Sequence, residues 1–204
     1  EAQAGFAFRE LNRKGIAMII WKTESASFIL ERINKGMLKT FGMRLHFGVG
    51  DPAAFPGALQ HSYEQGLHAL SERNLLREDS FIHLRHTAAQ PAKANLHRLE
   101  QLIGLALYSG IEQSILDATA EWFKQVERLD CMTPKLYEEW WKEFVVFINR
   151  WNTDHLNGNL RFDWPMPFYV PIDSEGRLSF ELWRERVASK LLLLSRTFAE
   201  ASRR

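Results

Sequence analysis

The segment from Phe41 to Leu84, FGMRLHFGVGDPAAFPGALQHSYEQGLHALSERNLLREDSFIHL, constrains the fold more than any other part of the chain. It opens with an alternating run in which Met43, Leu45, Phe47 and Val49 fall on one face of a strand. Gly48 and Gly50 sit where that strand ends, and a loop with Pro52, Pro56 and Gly57 follows. The next apolar pattern has helical spacing from about Ala58 to Arg73, with Ala69 a small contact against a sheet. A short apolar run at 81–84 reads as a second strand. Strand, helix and strand in this order read as part of an α+β module, and the two glycines permit positive φ or close backbone approach where the strand ends.

The same logic extends upstream. Gly15 to Trp21 is a continuous apolar run between charged pairs and reads as a buried strand, with one more strand around Phe6 to Phe8. Ser25 or Ser27 can cap a helix whose apolar positions Phe28, Ile29, Ile33, Met37 and Leu38 run on to Gly42. From about Pro91 the texture turns helical. Apolar faces mark helices over 94–109, 111–129, 134–156 and from Ser179 onward, and Thr133-Pro134 is a strong helix start. The expected class is α+β, with an α+β module over 1–88 and a helical region over 89–204.

Composition narrows the function. The chain has 204 residues, enough for a sizeable core, with 46% hydrophobic and 25% charged residues, so it is globular. Its 26 basic and 25 acidic residues leave a net charge of +1, without the basic excess of a nucleic-acid reader. The single cysteine, Cys131, rules out an internal disulfide and fits a reducing compartment. The apolar runs are too short for a membrane span, so a cytoplasmic location is expected.

The strand ending Gly48-Val49-Gly50, the helix carrying Ser62-Tyr63 and Ala69-Leu70, and their spacing resemble the C-terminal half of a degenerate GGDEF-type domain. Such domains occur in the middle of bacterial AraC-type transcription regulators, notably two-component response regulators. The short helices around Gly110 resemble the helical segment that follows this domain, and the last helix resembles the one leading into the DNA-binding region. The resemblance implies a partial GGDEF-like sheet whose first strand or two lie upstream of Glu1. It also implies a receiver domain before the chain, and contact with DNA only through a C-terminal domain outside it. Long apolar helices suit a homodimer.

Catalytic signals are missing where the resemblance would put them. The Gly-Gly-Asp/Glu-Glu-Phe hairpin of a cyclase would fall between Phe6 and Trp21, where Glu10 and Gly15 stand without paired glycines. The expectation is therefore a protein that is not an enzyme and takes no cofactor. His83 and His86, with His46, His61 and His68 nearby, lack the cysteine or clustered carboxylates of a metal site, which favours structural or exposed roles. Glu138-Glu139 reads as a solvated face, and Glu181 with Glu185 as a like-charge pair offset by Arg184 and Arg186. No phosphate loop or nucleophile elbow is present.

The segment 157–176 alternates three prolines with Trp164, Met166, Phe168 and Tyr169 and cannot be helical. It reads as a cover over the helices. The sharper alternative is a pocket or interface formed by Trp140, Trp141, Trp151, Trp164 and Tyr169, able to stack a nucleotide or sugar in a small-molecule sensor.

Overall fold

The computed structural model describes residues 5–9, 16–21, 25–77, 80–84, 96–164 and 169–202. The protein is α+β, and its residues group into two compact units. The first comprises Glu1–Arg73, Glu78–Ala88 and Ser174–Gly176; the second comprises Asn74–Arg77, Ala89–Asp173 and Arg177–Arg204.

In the first unit, β1 (Gly5–Arg9) and β2 (Ile16–Ile20) form an antiparallel ribbon in which Gly5 faces Ile20 and Arg9 faces Ile16. Helix α1 (Ala26–Phe41) follows. Then β3 (Phe47–Val49), α2 (Leu59–Ser71) and β4 (Ile82–Leu84) make a parallel pair joined through a helix, with Phe47 opposite Ile82 and Gly48 opposite His83. Parallel strands need such a crossover, and α2 supplies it.

Two strand expectations are corrected. The strand expected over 43–50 is confined to Phe47–Val49, because the backbone before it is bonded elsewhere. Arg44 N donates to Ser174 O at 2.9 Å and Leu45 N donates to the Asn34 side chain at 2.9 Å. Of the run expected over Gly15–Trp21, Ile16–Ile20 is a strand, but not a buried one: Ile16 is 73% and Trp21 50% exposed. Arg13, Lys14, Lys22 and Thr23, which bounded that run, lie outside the described residues.

What holds β3 to α2 is backbone proximity. A Cβ on Gly48 would stand 1.9 Å from Gly66 O, and one on Gly50 would stand 1.8 Å from Ser62 O. No side chain fits at either strand position, and Gly66 faces the same seam from the helix. Beside the seam, Gln65 is buried and its amide is fully used. Its oxygen accepts from Asp51 N at 2.9 Å and its nitrogen donates to Asp51 Oδ2 at 2.9 Å. Glycines thus set the distance and a buried amide sets the register.

The second unit contains α3 (Leu96–Ser109), α4 (Glu112–Val126), α5 (Pro134–Leu156) and α6 (Phe180–Ala201). The predicted starts of α5 and α6 are those observed. Thr133 Oγ1 accepts from Leu136 N at 3.1 Å, with Pro134 at the first helical position, and Ser179 Oγ accepts from Leu182 N at 3.3 Å. Residues 94–95, expected to begin α3, lie outside the described residues. Asn157 ends α5 in the left-handed conformation, and Asn152 holds the departing chain through bonds to the backbone of Leu160. No described helix is long and apolar enough to cross a membrane.

The units differ in how much they bury. In the first, Leu30 and Ala69 are the buried apolar side chains among the described residues, while Phe28 and Phe55 are 67% and 72% exposed. The second has a continuous core from Leu75 through Ile103, Phe123, Trp140 and Trp183 to Leu194.

Replacing Gly48 with alanine forces β3 and α2 apart. Gly48→Ala is expected to cost about 1–3 kcal/mol or more. Urea unfolding followed by hydrogen exchange should place the loss in β3, α2 and β4, with α3–α6 unchanged.

Candidate functional site

The five aromatic side chains expected to line a pocket or interface separate in the structure. Trp140 and Trp141 are adjacent on α5, both buried, with ring centroids 5.9 Å apart. Trp164 meets the Trp141 ring edge-on at 6.3 Å and stacks on Phe162 at 5.2 Å. Trp151 is buried about three turns further along α5, in a second cluster with Tyr108, His155 and Phe198. Tyr169 is partly exposed, and its backbone oxygen accepts from Arg186 Nη1 at 2.8 Å. Pro165, Met166, Pro167 and Phe168 lie outside the described residues.

Packing explains this. Trp183 of α6 is fully buried and stands nearly perpendicular to Trp122, Phe123 and Trp140, with centroids 5.6, 5.2 and 4.9 Å away. Such edge-to-face pairs add to the area term in a core. Nε1 of Trp140, Trp151 and Trp183 has no hydrogen-bond partner among the described residues. Perpendicular pairs set ring edges against ring faces, and a ring face is a weak acceptor for an indole N–H. Burial pushes the Tyr137 phenol up to about 12, with the hydrogen bond and charge of Arg186 pulling the other way. Tyr137 therefore keeps its proton at neutral pH.

The carboxylate readings divide. Glu138 pairs with Lys142 at 2.7 Å on an exposed face, as a solvated surface would. Arg184 and Arg186, expected to offset Glu181 and Glu185, are directed elsewhere. Arg184 reaches Glu127 at 3.8 Å and Arg186 serves Tyr137 and Tyr169.

The polar arrangement with most chemical content lies in the first unit. His46 Nδ1 and His83 Nε2 are 3.0 Å apart, with the rings stacked at 5.2 Å. His46 Nε2 lies 3.0 Å from Glu175 O, and since a carbonyl oxygen only accepts, that nitrogen carries hydrogen. Gly176 follows at φ +77, and a Cβ there would stand 2.3 Å from His46 Nε2. The Glu175 carboxylate receives Arg44, with Nε 3.3 Å from Oε2. Burial, then the charges of His46 and Arg73, hold His83 down to about 4. Burial also lowers Arg73.

This cluster escaped sequence reasoning because its members are far apart in the chain. The signal the sequence held was a histidine in or beside each of the two expected strands, His46 and His83. His61, also considered as a ligand, meets the Gln65 amide at 3.2 Å instead. His86, Glu10 and Gly15 lie outside the described residues. Among the described residues, no three His, Cys, Asp or Glu side chains converge as a metal site. No family model, curated protein or solved structure matches the chain.

Two outcomes follow from the geometry. His83 is harder to protonate folded than unfolded, so the unfolded chain binds more protons between the ordinary histidine value and about pH 4. Stability contributed by neutral His83 is therefore present above that window and lost as pH falls through it. His83→Gln should flatten the drop in urea midpoint between pH 6.5 and pH 4. In the second unit, Trp183→Ala should cost about 3–5 kcal/mol in thermal or urea unfolding, through lost burial and an unfilled cavity.

Proposed function

We propose that this chain is a non-catalytic regulatory and signal-relay region of a bacterial transcription regulator. It is read as the middle of an AraC-type protein, in the manner of a two-component response regulator. DNA is contacted only by a domain outside the chain, and a receiver domain stands upstream. The region works in the cytoplasm as a homodimer.

The observation that carries this reading is the seam between β3 and α2. The residues that gave the resemblance, Gly48, Gly50 and Ser62, are the ones at which strand and helix backbones approach within a missing Cβ. Ala69, from the same helix, is buried. These residues are spent on packing, as expected of a domain kept for its fold. The neutral charge balance further supports contact with DNA through another domain. A sensor that stacks a nucleotide or sugar on the tryptophans is less favoured, because Trp140, Trp141 and Trp151 are core residues.

Light scattering across a concentration series tests the proposal, with and without cyclic dinucleotides and sugars. The expected result is a dimer whose mass does not depend on ligand. A monomer that changes mass or shape only when one ligand is added overturns the relay reading in favour of the sensor.

A further inference from the structure

Asn157 is the one asparagine of the chain that is followed by glycine. In such a pair the side-chain amide carbon and the next backbone nitrogen can close a cyclic imide, because Gly158 has no side chain to hinder the approach. Both residues are exposed, and space is open where a Gly158 Cβ would stand. Solvent base and water therefore have access to the reacting atoms.

The end of α5 holds this chemistry off. Asn157 sits in the left-handed conformation at φ 52 and ψ 31. Closing the ring requires Cβ and the Gly158 nitrogen to eclipse each other about the Cα–C bond, and at this ψ the nitrogen stands nearly opposite Cβ. The Gly158 N–H is also engaged, donating to Asn152 O at 3.1 Å. One residue on, Asn159 N donates to Leu156 O at 3.0 Å. Beneath the turn, buried Asn152 donates from Nδ2 to Leu160 O at 2.9 Å and accepts from Leu160 N at Oδ1 at 3.3 Å. The reactive bond is thus fastened on both sides, and ψ of Asn157 turns only when those bonds open together.

We propose that Asn157-Gly158 is a site of spontaneous deamidation kept latent by the closed end of α5. When the turn opens, Gly158 N gives its proton to solvent base and forms a bond to Asn157 Cγ. The Cγ–N bond of the amide breaks, and its nitrogen leaves as ammonia after taking a proton from water. Water then opens the ring at either carbonyl, leaving aspartate or the isomer whose main chain runs through the former side chain. Both products place a negative charge at the carbonyl end of α5, where the helix dipole disfavours it. The isomer also lengthens the main chain by one carbon within the left-handed cap, so a turn converted that way stays open. Leu156 and Trp151, buried in the last turns of α5, lie directly upstream of the change. This inference stands on the second unit alone and does not depend on the regulatory reading.

The test is peptide mapping by mass spectrometry on the 204-residue chain, incubated in mildly alkaline buffer with and without urea, with isoaspartyl and aspartyl peptides separated. In urea Asn157 should convert faster than every other asparagine. Without urea its conversion should be slower by roughly tenfold or more, because only the open fraction of molecules reacts. Asn152→Ala, shown folded by circular dichroism, should accelerate conversion in buffer severalfold and leave the rate in urea unchanged. Gly158→Ala should suppress conversion in urea, where the fold plays no part. The site is overturned if Asn157 converts no faster in urea than the other asparagines. The latency is overturned if the wild-type rates with and without urea agree, a comparison that needs no variant to fold. A folded Asn152→Ala chain that converts at the wild-type rate overturns the role of the Asn152–Leu160 bonds.

Discussion

The first unit depends on two backbones lying closer than side chains allow. Gly48 and Gly50 on β3 meet the carbonyls of Gly66 and Ser62 on α2, at separations where a Cβ has no room. Close approach compensates for a small core, since Leu30 and Ala69 are its buried apolar side chains among the described residues. Dispersion over many backbone atoms, and the Asp51–Gln65 bonds alongside, replace what larger side chains would give. The seam also fixes where β3 ends and therefore how Gly48 faces His83 on β4.

The second unit solves the opposite problem. It has an excess of large rings and packs them edge to face around Trp183, and three indole nitrogens have no conventional partner among the described residues. A core of this kind specifies shape through ring geometry. Trp122, Trp140, Trp141, Trp151 and Trp183 are all buried in that core.

Local chemistry was legible in the sequence, and distant pairing was not. Thr133, Pro134 and Ser179 announced their helices because a cap depends only on its nearest residues. The α+β class followed from the change of period at the end of the first module. The length of β3 did not, because Arg44 and Leu45 give their hydrogen bonds to Ser174 and Asn34, partners that no period-two pattern reveals. The exposure of Ile16 was missed for a related reason. An apolar run shows that a strand can be buried, while its actual cover depends on neighbours elsewhere in the chain. His46, His83 and Glu175 form the extreme case, a cluster assembled from three separate stretches.

The grouping of residues 174–176 with the first unit, and of 74–77 with the second, has a consequence for dissection of the chain. A cut at the 88/89 boundary looks natural on paper, yet it strips material from both products. The N-terminal fragment would lose Glu175, the acceptor for His46 and the counter-ion of Arg44. The C-terminal fragment would lose Leu75, a buried residue whose backbone bonds to Met132 and Leu178. Each half carries a short passage on which the other's integrity rests. Expression of the isolated halves, limited proteolysis and domain transplantation are all governed by that interlacing, and not by the boundary that composition suggests.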